Sequence, residues 1–371
     1  MEEIQHVHGG DLRAASAEFG LKEEEILDFS ANINPLGPSP RVREVILENF
    51  HQVVNYPDPN CTELRAALGR KFGLAAEQIV MGNGAVELIY LLMKLLQPRK
   101  VLIPAPTFGE YEIGVVCAHG QVVDLPLDRA EEFSIKAEKV VNHLPQVDMV
   151  IICNPNNPTG KLIEREEIET IIREAEETGA FVMVDEAFMD FVDEPERYSV
   201  VDLVHKYPNL LVLYSMTKFY GIPGLRLGAA FGTPRIISGM TAIKDPWNVN
   251  TFAQLAGVVS LEDEDYRVRT RVMVREAKKE FYKALLKIPG LKVYEPSVNY
   301  VFLDISGTGY TSTKLKESLA RRGLLVRDCS SYKNLGADFI RVAVKDPASN
   351  RRLVEALTRL AAGKTNRGVR A

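Results

Sequence analysis

The segment Tyr214-Ser215-Met216-Thr217-Lys218-Phe219-Tyr220-Gly221-Ile222-Pro223-Gly224-Leu225-Arg226 sets one amine among apolar and aromatic side chains. Desolvation lowers the pKa of such a lysine, which suits an amine that must form a Schiff base. Ser215 and Arg226 add a hydroxyl and a planar donor fork, groups that hold a phosphate. Upstream, Gly82-Asn83-Gly84-Ala85-Val86-Glu87 opens an amphipathic run to about Leu96. A glycine turn feeding a helix leaves free N–H groups at the positive end of its dipole, which is an anion site. The third glycine of a dinucleotide-binding fingerprint is missing, and an ordinary turn reads the same way.

Two further segments bear polar groups where an apolar run ends. In Asn154-Pro155-Asn156-Asn157-Pro158-Thr159-Gly160, two X-Pro bonds and a glycine restrict the backbone and can present the Asn157 amide rigidly to a ligand oxygen. In Val184-Asp185-Glu186-Ala187-Phe188, a carboxylate follows a strand that should be buried. That is costly unless the carboxylate meets a cation, and a protonated pyridine nitrogen is one; a helix N-cap aspartate is the alternative.

These segments belong to a pattern that positions them. Between about residues 79 and 231, short apolar runs alternate with longer amphipathic stretches, as in β-α units feeding a largely parallel sheet. The runs are Val101-Leu102-Ile103, Val122-Val123-Asp124-Leu125, Met149-Val150-Ile151-Ile152, Phe181-Val182-Met183-Val184 and Leu210-Leu211-Val212-Leu213. They are continuous rather than alternating, which predicts helices on both faces of the sheet. Residues 164–177 place Ile168, Ile171, Ile172 and Ala175 at helical spacing with charges opposite. Ligands of such sheets gather at the carboxyl ends of strands, where all four segments lie. Beyond Trp247, a charged helical stretch (264–287) precedes strands at Tyr300-Val301-Phe302-Leu303, Leu324-Leu325-Val326 and Phe339-Ile340-Arg341-Val342. With helices at 313–321 and 348–361 this makes a smaller α+β unit.

The chain of 371 residues is long for one core and fits two domains at roughly 100–200 residues each. We read residues 1–35 as an arm packing with the small domain, 36–247 as the large domain and 248–371 as the small domain. A composition of 46% hydrophobic and 26% charged residues is that of a soluble globular protein. A net charge of -5 argues against nucleic-acid or acidic-membrane partners, and the basic tail 364–370 reads as a solvated end. Cys61, Cys117, Cys153 and Cys329 form no CxxC pair, so neither a zinc site nor a redox motif is expected, and no metal. Met1-Glu2-Glu3-Ile4 is acidic and precedes no apolar h-region, and no run of about 18 apolar residues occurs. A cytoplasmic location with reduced thiols is the expectation.

In this order, the four motifs resemble the fold type I pyridoxal-phosphate enzymes of the aspartate aminotransferase superfamily, and the likeness spans nearly the whole chain. It implies a three-layer large domain with a mainly parallel sheet, and pyridoxal 5'-phosphate held as a Schiff base on Lys218. Asp185 would pair with the pyridine nitrogen, Asn157 would donate to the phenolic oxygen, and Phe108 would stack on the ring. Ser215, Arg226 and the amides of Ala85 and Val86 would bind the phosphate. Tyr56, in Asn55-Tyr56-Pro57-Asp58, resembles the tyrosine that reaches that phosphate from the other subunit of a homodimer with shared active sites. Arg341 matches the arginine for the substrate carboxylate. Phe188 stands where many relatives have a tyrosine, so a second hydrogen bond to the phenolic oxygen is lost.

Within the superfamily the chain most resembles the threonine-phosphate decarboxylases of cobalamin biosynthesis, which are akin to histidinol-phosphate aminotransferases. The residues concerned are His8-Gly9-Gly10, Asp28-Phe29-Ser30-Ala31-Asn32-Ile33-Asn34-Pro35-Leu36-Gly37, Phe188 and the Lys218 segment. The likeness implies decarboxylation of L-threonine O-3-phosphate to (R)-1-amino-2-propanol O-2-phosphate, with Arg327, His8, Asn34, Asn157 and Arg341 toward the substrate. An amino-acid aminotransferase is the alternative reaction. A regulator on the same fold would add a helix-turn-helix domain, for which the stretch before residue 30 is too short.

Overall fold

The computed structural model describes residues 6 and 8–368, with side chains through 362. The acidic residues 1–4 and the side chains of the basic tail therefore lie outside the described residues; the tail's backbone to 368 continues the helix Pro347–Gly368.

The apolar runs form the middle of a sheet. Among the described residues it has seven strands, in the order Ile79–Gly82, Gly228–Gly232, Leu210–Ser215, Phe181–Asp185, Met149–Cys153, Lys100–Ala105 and Gln121–Pro126. Pairing is parallel except at Gly228–Gly232, which runs antiparallel to both neighbours. Successive strand residues face opposite sides, and both sides are apolar. Val150, Ile152, Val182, Val184 and Val212 join one core cluster, while Met149, Ile151, Met183, Leu211 and Leu213 join another. The helix Arg165–Thr178 buries Ile168, Ile171, Ile172 and Ala175 in the first, and Ala85–Leu96 buries Leu88, Ile89 and Leu92 in the second.

Two strands differ from expectation. Gln121–Pro126 pairs only with Lys100–Ala105, so Val122 and Val123 are half-buried and Asp124 is exposed. Asp124 interrupts its apolar run, and that exposed carboxylate fits a strand at the edge of the sheet. Gly228–Gly232 carries no branched run and gives no strand signal, because its close neighbour forbids bulk: a Cβ on Gly228 would lie 2.5 Å from the Ala85 nitrogen.

The C-terminal part forms an antiparallel sheet in the order Arg327–Asp328, Phe339–Ala343, Tyr300–Asp304 and Lys292–Val293. Phe281, Leu285, Val301, Leu303, Ile340, Val342 and Leu353 make its core with the helices Glu264–Leu285 and Pro347–Gly368. The single strand expected at 324–326 is divided. Leu324–Leu325 pairs in parallel with Leu27–Asp28 from the N-terminal stretch, and Arg327–Asp328 joins the larger sheet. This register sets Arg327 directly opposite Arg341.

Candidate active site

The carboxyl ends of the parallel strands bring the sequence-predicted residues together. Lys218 follows the strand Leu210–Ser215, and its Nζ donates to Ser215 Oγ at 3.2 Å and lies 6.0 Å from the Phe188 ring centroid. Burial lowers the Lys218 amine to about 8; Asp185 opposes that shift, and Arg226 and Arg341 add to it. The amine is thus closer to its free-base form than an exposed lysine is at the same pH.

Asp185 ends the neighbouring strand and is 4% exposed. Its Oδ1 accepts from the Ala187 amide at 2.9 Å, the cap-like bond that the sequence allowed. Its Oδ2 accepts from Tyr111 Oη at 2.7 Å. Burial nevertheless raises its pKa, against these bonds and the nearby Lys218. The carboxylate is thus short of positive charge, which is the deficit that a protonated ring nitrogen would fill. Tyr111 gave no sequence signal; it looks like any core aromatic of the helix Glu110–Cys117.

The anion cradle is formed as well. Gly84 has φ +81°, and a Cβ there would fall 2.4 Å from Arg226 Nη2, so the guanidinium lies against the glycine turn. The helix Ala85–Leu96 starts at that turn with no side chain capping it. Its first amides, Ser215 and Arg226 therefore converge on a space that a phosphate suits. The residues fit pyridoxal phosphate: a cradle for its phosphate, an amine for its aldehyde and a carboxylate for its ring nitrogen.

Asn157 Oδ1 accepts from Tyr332 Oη at 3.2 Å and from Arg341 Nη1, so the amide group is oriented with its NH2 left to donate. Arg341 is 5% exposed; its Nη2 donates to the Ser30 carbonyl at 2.7 Å, and its buried Nε has no hydrogen-bond partner. Arg327 donates to Ser331 Oγ at 2.9 Å and stacks over the Tyr332 ring, 5.1 Å from its centroid. A cleft of about 630 Å³ is lined by His8, Phe108, Glu110, Arg327, Ser331 and Tyr332, among others. Across it, Lys333 pairs with Asp124 at 2.8 Å and Glu112 at 3.3 Å.

The arm reaches this cleft. His8 lies 5.7 Å from the Phe108 ring, and its Nε2 shares Glu110 Oε1 with His6 Nδ1, at 2.7 and 2.8 Å. Burial would raise the Glu110 carboxyl, but hydrogen bonds from His8, His6 and Tyr90 hold it at about 2. Two donors of one tetrahedral metal ion stand about 3.3 Å apart, given metal–ligand bonds of ~2.0–2.1 Å. The shorter separations here are those of hydrogen bonds.

Asn34 departs from its expected role toward substrate. Its NH2 donates to the Phe219 carbonyl, Tyr266 Oη and Thr270 Oγ1 at 2.8, 2.8 and 3.0 Å, and its Oδ1 accepts from the Leu36 amide. The Asn34 amide N–H also donates to the Lys218 carbonyl. With its side chain committed in this way, Asn34 fastens the lysine loop. Tyr56 is 78% exposed and stacks on Trp247 at 4.3 Å, outside the constellation around Lys218.

A strand-end lysine, a buried carboxylate and a helix-capped anion cradle on a mainly parallel sheet define an α/β site built for a phosphorylated carbonyl cofactor. The chain belongs to the aminotransferase class I and II family, whose profile matches residues 24–357. It is 34% identical to the threonine-phosphate decarboxylase of Salmonella typhimurium, over 96% of this chain and 97% of that protein. It is 32% identical to the histidinol-phosphate aminotransferase of Methanothermobacter thermautotrophicus, over 96% and 94%. The crystal structure of the histidinol-phosphate aminotransferase from Clostridium acetobutylicum superposes with a TM-score of 0.86 at 33% identity, covering 91% of this chain and all of that one.

Proposed function

We propose that this chain decarboxylates L-threonine O-3-phosphate to (R)-1-amino-2-propanol O-2-phosphate with pyridoxal phosphate, a step of cobalamin biosynthesis. The observation that carries this reading is the register that sets Arg327, which lines the cleft, directly opposite the buried Arg341. Two buried guanidiniums so close suit one short substrate with an anion at each end, and threonine phosphate carries a carboxylate and a phosphate. Histidinol phosphate itself has no carboxylate, so the aminotransferase alternative would use the second arginine only for its dicarboxylate co-substrate. The 34% identity to the Salmonella decarboxylase supports the same reading. The aminotransferase alternative draws on the Clostridium structure, which is as similar in sequence.

Bound pyridoxal phosphate supplies an electron sink for the pair left on Cα when one of its bonds breaks. Lys218 would anchor it, and Asp185 would hold a proton at the ring nitrogen. Asn157 would donate to the phenolic oxygen, Phe108 would pack on the ring, and Ser215, Arg226 and the Ala85 and Val86 amides would hold the phosphate. Arg327, with His8 at the mouth of the cleft, holds the substrate phosphate, while Arg341 meets the carboxylate. Fixing both ends would orient the Cα–carboxylate bond for cleavage, which releases carbon dioxide and leaves the bond's electron pair on Cα. The electron pair left on Cα must then take up a proton, which either the Lys218 side chain in its protonated ammonium form or water would supply.

The exposed apolar side chains Leu47, Phe50, Val53, Val54, Tyr56 and Trp247 support a homodimer in which Tyr56 reaches the other subunit's phosphate cradle. Four free cysteines fit a cytoplasmic setting. In the arrangement of arm 1–35, large domain 36–247 and small domain 248–371, the cleft opens between the two domains.

The test incubates the protein with threonine phosphate and, separately, with histidinol phosphate plus 2-oxoglutarate. Aminopropanol phosphate and carbon dioxide are expected from the first. Glutamate from the second, with no carbon dioxide from the first, would overturn the proposal.

A further inference from the structure

Tyr332 touches both Arg327, which lines the cleft, and the buried Arg341 on the opposed strand. It is 9% exposed, and its ring sits under the Arg327 guanidinium, 5.1 Å away. Its hydroxyl donates to Asn157 Oδ1 at 3.2 Å and accepts from Arg341 Nη1 at 3.4 Å. Like charges on directly opposed strand residues repel, and burial weakens the screening by water. A planar ring lets one guanidinium stack while its hydroxyl turns the other toward Asn157. Ser331 adds a hydrogen bond to Arg327.

We propose that Tyr332 is a positioning residue that sets the separation and aim of Arg327 and Arg341, and thereby the distance between the two anionic groups the site accepts. This rests on the reading that both arginines bind substrate. The two halves of the side chain have separable duties: the ring serves the Arg327 end, and the hydroxyl serves the Arg341 and Asn157 end.

Holoenzyme variants Tyr332→Phe and Tyr332→Leu, alongside Arg327→Met, are titrated with inorganic phosphate and with L-threonine, which lacks the phosphate; thermal melts check folding. Tyr332→Phe keeps the ring, so phosphate affinity should stay within about twofold while L-threonine binding weakens by about five- to tenfold, the range of one lost hydrogen bond. Tyr332→Leu should weaken both ligands. For threonine phosphate, KM should rise in both variants, and kcat should fall more in Tyr332→Phe than its phosphate affinity does. Equal losses for the two ligands in Tyr332→Phe, or unchanged phosphate affinity in Tyr332→Leu, would overturn the proposal. Unchanged phosphate affinity in Arg327→Met would instead overturn the reading beneath it, and the proposal with it.

Discussion

Replacing Tyr111 by phenylalanine removes one oxygen from the core and one hydrogen bond from Asp185. The ring stays packed edge-on against Phe108 at 5.5 Å, so the change is confined to the hydroxyl that donates to Asp185 Oδ2 at 2.7 Å. Burial already pushes the Asp185 carboxyl upward, and the Tyr111 hydroxyl is the first force opposing it. A hydrogen bond to a charged group contributes about 1.5–3 kcal/mol. At 1.36 kcal/mol per pKa unit, its loss raises Asp185 by roughly 1–2 units. The sign follows from which form binds: the ionised carboxylate holds the protonated ring nitrogen, so cofactor affinity falls as pH drops through the Asp185 pKa. The assay is pyridoxal-phosphate affinity of the apo-protein between pH 5 and 9, read from the visible band of the lysine-bound cofactor. The lower arm of that curve should move up by about 1–2 pH units in Tyr111→Phe. An arm that stays in place would refute the assignment of Tyr111 as the support of the Asp185 charge.

Gly84→Ala should lower cofactor affinity at least tenfold, measured by the same band, because its Cβ would displace the Arg226 guanidinium from the cradle and the backbone there has φ +81°. Glu186 is buried, and burial raises its carboxyl to about 8 against hydrogen bonds from the Val200 amide and Ser199 hydroxyl. A folded pKa above the unfolded value means stability that is full below the unfolded pKa and lost as pH rises toward 8. Glu186→Gln should therefore melt higher than the parent at pH 8 to 9, with the gain gone near pH 4; a constant difference across pH would contradict this. Glu110→Gln removes the charge that both arm histidines share, so hydrogen exchange of residues 8–10 should quicken while the sheet's amides stay protected.

The legible parts of this molecule are those where one residue type has one physical use in its setting. An amine in apolar company, a carboxylate after a buried strand and a glycine turn before a helix each point to one kind of chemistry, and the structure sets the first two at adjacent strand ends with the turn against Arg226. The central strands were legible for the same reason: both faces are covered, so their runs are continuous. Tyr111, Tyr332 and Glu110 stayed silent because a buried tyrosine or a helix-start glutamate has many ordinary uses, and only the fold shows what each touches. The strand Gly228–Gly232 was hidden because the approach of Ala85 selects for small side chains over β-formers. Asn34 was misassigned toward substrate because the resemblance marked its segment, while its four hydrogen bonds show an anchor for the lysine loop.

The division of the strand at 324–328 has a functional consequence that a continuous strand would lack. Leu324 and Leu325 leave the sheet to hold Leu27 and Asp28, and through them the arm that carries His8. Two residues later the same chain re-enters beside Phe339–Ala343 and lays Arg327 opposite Arg341. The arm and the arginine pair are therefore positioned by one short segment. The same short segment thus connects the cleft residue Arg327 to the strand pair that anchors the arm. In this register Arg341 donates to Asn157 and to the Ser30 carbonyl, while Arg327 stacks on Tyr332 and donates to Ser331, so the two guanidiniums are aimed by different partners from directly opposed strand positions. On the proposed function, that divided aim is what a ligand with an anionic group at each end would meet.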